Sequence, residues 1–236
     1  YSRQASAILK ATQVIEYLDH TEFVFSYLWK LYRSSTKLLG AYNVNNVLAA
    51  IAVGIELWLD IATILKSTES FEWVDGRLQK QEIGGVTYFV DFAHTPDGLE
   101  KTLSFLSGQK GDKKLITVFG CPGNRDKEKR PVMGEIAWKY SDIAICTDDD
   151  PDTENRLKIL DDLSKPIQER LLAGGKNSYI LPERQYAIQF TMDVAKPGDI
   201  VLLAGKGHEQ VQLTNFGKRK WNDNVVLLEL AKQRNL

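Results

Sequence analysis

Residues Leu115–Met133, LITVFGCPGNRDKEKRPVM, carry the clearest indication of the fold in this chain. This stretch opens with five residues suited to a buried strand and then breaks at Gly120–Gly123, where the backbone must turn. Four cations follow within six residues, and Pro131 stands where the first residue of a helix is expected. A strand, a glycine turn and a basic helix start together form an anion site at the carboxyl end of a sheet. A solvated charged loop is the plainer interpretation of the same residues.

The composition of the chain is that of an ordinary globular protein. Its 236 residues are 43% hydrophobic and 26% charged, which is enough for one large or two small domains. The net charge of -1 gives no general electrostatic reason to bind nucleic acid or an anionic membrane. No apolar run reaches the length of a membrane span, and no signal peptide is found. We therefore expect a cytoplasmic protein with no nucleic-acid or membrane partner, and we also expect a monomer.

The cysteines and histidines indicate neither a disulfide scaffold nor a metal site. Cys121 and Cys146 stand at the ends of apolar runs, which favours reduced, partly buried thiols. His20, His94 and His208 are isolated from one another, so no metal-ligand spacing is present. We predict no metal ligand among these residues.

A change of pattern divides the chain into two predicted domains, residues 1–70 and 71–236. In the first, Ala7–Ile15 and Glu22–Leu28 have the pattern of strands, and so few strands would be marginally stable without further partners. A helix is expected from Asn46 on, because apolar residues recur there at helical spacing. The polar residues just before position 71 mark the boundary.

In the second domain, predicted strands and helices alternate along the chain. The strands are continuous apolar runs, which predicts an α/β fold with a Rossmann-like, mostly parallel sheet and helices on both faces. The predicted strands are Val86–Phe92, Leu115–Phe119, Asp142–Cys146, Ser178–Ile180 and Asp199–Ala204. The predicted helices begin after Thr95, at Pro131 and after Thr153, where Ile159, Leu163, Ile167 and Leu171 would be buried, and two more cover Glu183–Val194 and Asp223–Gln233.

Polar residues follow four of these strands, at the edge where a sheet of this kind binds its ligand. Each polar segment has a structural alternative: His94 suits a helix cap or the core, and the acidic run suits a helix N-terminus. The lysine between two glycines lies outside any GxxxxGK[ST] loop. All four segments together indicate one ligand crevice. They are Asp91–Asp97, Gly120–Arg130, Thr147–Glu154 and Gly205–Glu209.

The same segments resemble the motifs of the C-terminal domain of the Mur ligases, in order and in spacing. The resemblance covers residues from about 71 to 236 and is greatest to the MurE branch, the UDP-N-acetylmuramoyl-tripeptide synthetases. Gly40–Ala50 is similar to the end of the central ATPase domain of this family, so residues 1–70 are expected to be the end of that domain. The matching motifs are DFAHTPD at 91–97, FGCPGNRD at 119–126 with KRP at 129–131, DDPDTE at 149–154 and AGKGHE at 204–209.

The resemblance implies an amide-forming reaction in peptidoglycan precursor synthesis. ATP, with Mg²⁺ neutralising its charge, would activate a carboxylate of UDP-N-acetylmuramoyl-L-alanyl-D-glutamate, and the amine of a free amino acid would attack it. The P-loop and the modified lysine of the family have no counterpart in this chain, so no catalytic residue is assigned, the Mg²⁺ ligands are expected mostly elsewhere, and the chain alone should be inactive. The residues implied for ATP are Asn43, Asn46, Arg77, Asp91 and His94. Those implied for the amino acid are Arg125, Asp149, Asp150, Pro151, Asp152, Gly205 and Glu209.

Two departures from the family pattern bear on the amino acid that is added. Members that add meso-diaminopimelate carry Asp-Asn-Pro-Arg at the third motif, whereas this chain has acids at Asp150 and Asp152. Two acids should repel a second carboxylate and accept a cation, which favours lysine or ornithine over diaminopimelate. Asn124 stands where the family usually has an aspartate.

Other functions also fit parts of the sequence. A related ligase, such as a murein-peptide ligase or a folylpolyglutamate synthetase, shares the fold, but the third motif favours the MurE branch. A non-catalytic Mur-ligase-like binding module would keep the fold without the ATPase half, and a P-loop upstream of Tyr1 would argue against it. A nucleotide-dependent oxidoreductase is disfavoured because no GxGxxG follows a strand.

Overall fold

The computed structural model describes residues 8–171 and 177–236. The chain divides into two compact units, residues 1–74 and residues 75–236, each described separately below. Within the described ranges, no helix combines the length and the apolar character that crossing a bilayer requires.

The first unit is a three-stranded antiparallel sheet followed by two helices. Alternate residues of the middle strand, such as Phe23 and Phe25, point to one face and pack there against Val44, Leu48 and Ile51 of the first helix. The strand order is β1-β2-β3. The elements are β1 (Lys10–Glu16), β2 (Thr21–Tyr27), β3 (Lys30–Thr36), α1 (Ala41–Glu56) and α2 (Ile61–Ser70).

The first unit differs from the predicted elements in its strands. β1 begins at Lys10 rather than at Ala7, which lies outside the described residues. β3 escaped prediction because its sequence, KLYRSST, is mostly polar. A tight turn precedes it, in which Leu28 and Trp29 have φ values of 47° and 66°.

The helices of this unit also differ from the prediction. α1 begins five residues before Asn46, at Ala41, and follows Gly40, whose φ of 89° suits glycine. α2 occupies the segment predicted as a polar joint, and its start is capped by Asp60, which accepts a hydrogen bond from the Thr63 N–H at 3.1 Å. The polar residues that indicate a linker in the sequence lie mostly on the exposed face of this helix.

The second unit has a six-stranded sheet in the order β4-β5-β9-β6-β7-β8, and a separate hairpin, β10-β11. Every neighbouring pair in the sheet is parallel except β4 with β5. The predicted mostly parallel α/β fold is therefore confirmed. The strands are β4 (Gln79–Ile83), β5 (Val86–Asp91), β6 (Leu115–Phe119), β7 (Ile143–Cys146), β8 (Asn177–Ile180), β9 (Ile200–Ala204), β10 (Val211–Thr214) and β11 (Gly217–Lys220). The helices are α3 (Pro96–Gln109), α4 (Lys129–Tyr140), α5 (Arg156–Leu171), α6 (Arg184–Val194) and α7 (Asp223–Gln233).

Apolar side chains from the middle of this sheet form the core beneath α6 and α7. Val118 of β6 and Val201 of β9 pack with Ile188 of α6 and Leu227 of α7, and all four are fully buried. The helices α3, α4 and α5 pack on one another in that order. Since strands covered by helices have no solvated face, their sequences are continuously apolar.

Some boundaries in the second unit differ from the prediction. α4 begins at Lys129, so Pro131 is its third residue rather than its first; a proline is tolerated there because the first four helical N–H groups have no partner in the helix. The predicted Thr95 cap is confirmed, since its Oγ1 accepts from the Gly98 N–H at 3.2 Å. The side chain of Leu171, predicted to be buried, lies outside the described part. The short polar strands β4, β10 and β11 were not predicted.

Candidate functional site

The four polar segments lie at one edge of the sheet. β5, β9, β6 and β7 are consecutive parallel neighbours, so the segments that follow them emerge side by side. The Gly205 N–H donates to the Asp91 carbonyl at 3.0 Å, and the Thr147 N–H donates to the Phe119 carbonyl at 2.9 Å. β9 separates β5 from β6, and such reversals of strand order are where open α/β sheets bind ligands.

A buried lysine lies among three of the predicted site residues. The Nζ of Lys206 is 2.7 Å from Oδ1 of Asp150, 2.6 Å from Oε2 of Glu209 and 3.8 Å from Oδ1 of Asp149. Burial alone would lower the pKa of Lys206, but the surrounding carboxylates outweigh it and raise that pKa, so the ammonium stays charged. Gly205, with φ 112°, makes room here, because a Cβ would lie 2.8 Å from Oδ2 of Asp149.

A second buried cation, Arg184, supports the ends of two strands from below. Its Nε and Nη2 donate to the two carboxylate oxygens of Asp223 at 2.8 and 2.6 Å. Nη2 also donates to the carbonyl of Ala204 at 2.8 Å, and Nη1 to that of Asp148 at 3.3 Å. Trp221 adds a hydrogen bond from its Nε1 to Asp223 at 2.8 Å. Arg184 therefore connects the ends of β7 and β9 to the start of α7.

The loops after β6 and β7 are joined by direct hydrogen bonds. The Gly123 N–H donates to the Asp150 carbonyl at 2.8 Å, and the Asn124 N–H donates to Oε2 of Glu154 at 2.8 Å. The amide of Asn124 also donates to Oδ2 of Asp152 at 3.1 Å. Asn124 thus bonds directly to an acid of the third motif.

Arg130 holds the far side of this junction. Its guanidinium is fully buried and forms a two-point pair with Glu154 at 3.0 and 2.8 Å, and Nη1 also bonds to Asp162 at 2.9 Å. The hydrogen bonds that Glu154 accepts from Arg130 and from the Asn124 N–H lower the pKa of its carboxyl group to about 2. Arg125, one residue after Asn124, is exposed, and no ion pair joins it to another described residue.

Two of the residues predicted for ATP in the second unit, Arg77 and His94, lie against one aromatic ring, together with His208. The Arg77 guanidinium lies 4.9 Å from the centroid of the Phe92 ring, and the rings of His94 and His208 lie 4.5 and 5.1 Å from it. The backbone before Arg77 packs closely against the backbone at His208. Only glycine fits at position 76, since a Cβ there would overlap the His208 backbone. This places a cation and two imidazoles on neighbouring loops.

Asp91 lies beneath these loops rather than at the surface. It accepts hydrogen bonds from the Leu78 N–H at 2.7 Å and from the Ala93 N–H at 2.9 Å, and it is buried. Burial raises its pKa to about 6, although these bonds favour the ionised form. Its carboxylate holds the turn that presents Arg77.

The two asparagines predicted for adenine lie in the first unit. Both are in the first turns of α1, where the amide of Asn46 donates to Oδ1 of Asn43 at 2.8 Å. The amide of Asn43 donates to the Leu39 carbonyl at 2.7 Å and so closes the start of the helix.

A groove of about 910 Å³ lies between the loop after β7 and the β10-β11 hairpin. Asp152 lines this groove, and two of its other acids are paired with cations. Arg156 lies 2.6 Å from Asp148 and 2.8 Å from Glu183, and Arg219 lies 3.4 Å from Glu183. Asp150 is directed instead to Lys206. With four acids and three cations in its lining, the groove is close to neutral, which the acidic third motif alone did not indicate.

Sequence reasoning missed the buried cations of this site. Arg184 is the first residue of an ordinary helix, and its partner Asp223 is 39 positions away, so no local signal indicates the pair. Lys206 and Arg130 stand in segments that the motifs single out, but the sequence analysis assigns neither of them a role of its own.

Buried Asp91 should make the stability of the second unit depend on pH. Its pKa of about 6 exceeds the unfolded value of about 4, so the folded state binds more protons between these values and loses stability as pH rises through them. Between pH 4 and 7, the free energy of unfolding of the wild type should therefore fall by about 3 kcal/mol more than that of Asp91→Asn, as measured by urea unfolding at each pH. Exposed Asp97→Asn is the control, and equal pH slopes for wild type and Asp91→Asn would refute the prediction.

The sequence of this chain is similar to that of a known protein family. The profile described as "Mur ligase, glutamate ligase domain" matches residues 76–207. A Syntrophomonas wolfei protein is 38% identical over 217 residues, which cover 91% of this chain and 43% of that protein. A Geobacter metallireducens protein is 40% identical over 200 residues, which cover 80% of this chain and 39% of that protein. Both are named UDP-N-acetylmuramoyl-L-alanyl-D-glutamate–2,6-diaminopimelate ligase.

Solved structures agree with the sequence relatives. A solved structure of a ligase with the same name is 29% identical to this chain in sequence and has a TM-score of 0.69. The match covers 99% of this chain and 47% of the chain in that structure. The MurC ligase of Thermotoga maritima shares the fold at 17% identity, with a TM-score of 0.71 and a match of 98% of this chain to 47% of its own. The chain thus spans less than half the length of these relatives. With its motifs, its strand order and these matches in agreement, the chain belongs to the Mur ligase family.

Proposed function

We propose that this chain is the C-terminal part of an ATP-dependent ligase that joins an amino acid to UDP-N-acetylmuramoyl-L-alanyl-D-glutamate. The observation that carries the proposal is the meeting of four polar segments at one sheet edge, with Arg125 exposed on the loop after β6 and Glu209 held by Lys206 on the loop after β9. The names of the relatives support the reaction class. In this proposal the first unit is the end of the central ATPase domain.

The proposed reaction has two chemical steps. The γ-phosphoryl group of ATP passes to the free carboxylate of the dipeptide, giving an acyl phosphate and ADP. The amine of the amino acid then attacks the acyl carbon, and phosphate leaves as the amide forms. We assign no Mg²⁺ ligand to this chain, because the one group of three acids found in the described ranges (Asp149, Asp150 and Glu209) surrounds the Lys206 ammonium.

For ATP, the proposal uses the loops around Phe92. A guanidinium and an imidazole suit phosphate oxygens, so Arg77 and His94 are proposed to contact the phosphate side of the nucleotide. Asp91 would position Arg77 through the Leu78 N–H. Asn43 and Asn46 are proposed to contact the adenine.

For the amino acid, the proposal uses the loops after β6, β7 and β9. A guanidinium binds a carboxylate at two points, which suits exposed Arg125 to the carboxylate of the amino acid. Glu209 would receive the ammonium. The remaining residues frame this pocket: Asp149, Asp150, Pro151, Asp152 and Gly205.

We retain lysine or ornithine as the proposed amino acid. The relatives are named for 2,6-diaminopimelate, but Asp152 stands where diaminopimelate-adding members carry arginine and lines the groove. An acid at that position offers no cation to a second carboxylate. Because Asp150 is paired with Lys206, this preference rests on Asp152 alone.

We further infer a monomer in the cytoplasm. The free, buried thiols of Cys121 and Cys146 suit a reducing compartment.

Amide formation by the full-length protein, with the P-loop domain that this proposal requires, tests the proposal, because the chain alone is expected to be inactive. The assay supplies ATP, UDP-muramoyl-dipeptide and one of three amino acids: lysine, ornithine or meso-diaminopimelate. We expect turnover with a basic amino acid. Arg125→Ala should raise the KM for that amino acid at least roughly tenfold. Arg125→Lys should fall between, because it keeps the charge and loses the two-point geometry.

Exposed Lys101→Ala is the matched control and should change nothing. Folded wild-type protein that forms no amide with any amino acid would contradict the function. A preference for diaminopimelate would contradict only the choice of amino acid.

A further inference from the structure

We propose that Lys206 is a positioning residue that orients Glu209 toward the amine of the incoming amino acid. The inference rests on the proposed function and adds to it a residue that has no role there so far.

The contacts of Glu209 are divided between its two carboxylate oxygens. Oε2 faces inward, 2.6 Å from the Nζ of fully buried Lys206. No hydrogen bond joins Oε1 to any residue in the described ranges, and the side chain is 34% exposed. A carboxylate held by one oxygen and open at the other can accept an ammonium in a fixed direction.

The backbone around Glu209 is also fixed. Its N–H donates to the Lys206 carbonyl at 2.9 Å, and its carbonyl accepts from the amide of Asn222 at 3.1 Å. Because the backbone is held, the freedom of Glu209 is confined to its side chain, and Lys206 holds the carboxylate at the end of that side chain.

Lys206 also connects the loops that frame the pocket. Oδ1 of Asp150 accepts both from Lys206 and from the Leu213 N–H of β10, at 2.7 and 2.9 Å. The amide of Gln212 donates to the carbonyl of Asp149 at 2.6 Å. The ends of β7 and β9 and the hairpin thus share one buried ammonium.

The charge of Lys206 is needed as well as its length. Carboxylate oxygens of Asp149, Asp150 and Glu209 lie within 4.8 Å of one another. Without a cation between them, these groups repel one another and favour protonation or outward rotation of the most exposed, Glu209. A neutral side chain of similar length would fill the space but release Glu209.

Lys206→Met and Lys206→Arg, each with a circular-dichroism check of folding, test the inference in the amide-formation assay. Lys206→Met should raise the KM for the amino acid roughly 30-fold, as for loss of a buried charge partner, and leave the KM for ATP within about twofold. Lys206→Arg should recover most of the loss. Exposed Lys101→Met is the control and should behave as wild type.

Each outcome bears on a different claim. An active wild type with an unchanged amino-acid KM in folded Lys206→Met would overturn this inference alone. A fall in kcat and thermal stability without a rise in that KM would show a purely structural lysine and would also overturn it. An inactive, folded wild type would overturn the proposed function and this inference with it.

Discussion

Replacement of Arg184 by methionine should destabilise the second unit by about 3–5 kcal/mol, because it leaves the Asp223 carboxylate buried without its cation. Both side chains are fully buried, and the pair is joined by two hydrogen bonds of 2.8 and 2.6 Å. The carbonyls of Ala204 and Asp148 lose a donor at the same time. Since a domain is stable by only about 5–15 kcal/mol, this is a large fraction of the total.

Urea unfolding measures the loss, with exposed Arg125→Met as the control, for which a change within about 0.5 kcal/mol is expected. The double variant Arg184→Met, Asp223→Leu should recover part of the stability, because an apolar pair avoids the unpaired charge. A loss below about 1 kcal/mol in the single variant, or none recovered in the double, would show that the pair does not hold the strand ends together.

Gly123→Ala should separate the loops after β6 and β7 and lower kcat/KM for the amino acid roughly 100-fold. A Cβ at this position would overlap the carbonyl oxygen of Pro151 and lie 3.0 Å from Cβ of Glu154. The backbone must move, and misplacement of a binding group by about 1 Å can cost that factor. The hydrogen bond from Gly123 to Asp150 would be lost with it.

A readout independent of activity is amide hydrogen exchange, in which Gly123 and Asn124 should lose protection. Gly108→Ala in α3 is the matched control, because nothing lies within 4 Å of the added Cβ. That change should stabilise the helix by about 0.5–1 kcal/mol and leave turnover unchanged. Unaltered exchange at Asn124 in Gly123→Ala would mean that the loops accommodate the methyl group and that the prediction is wrong.

The alternation of strands and helices could be predicted because it is written in short-range pattern. Apolar runs such as Leu115–Phe119, followed by glycine or proline, indicate a buried strand and its end with no knowledge of the rest of the molecule. The helix start at Thr95 is local in the same way, since the cap bonds three residues along the chain. Short polar strands were not predicted for the same reason: the sequences of β4 and β11 have no repeating pattern of apolar residues.

The fold class, the main strands of the second unit and the four motifs that resemble the Mur ligases can all be predicted from the residues alone. The position of β9 between β5 and β6, and the direction of Asp150 toward Lys206 rather than the groove, are seen in the folded structure and have no signal in the sequence. The physical reason is range: a strand is specified by neighbours within a few residues, whereas the charge of a pocket depends on which distant cations the topology brings together. Lys206 and Asp150 are 56 positions apart, and nothing in either segment alone indicates their contact.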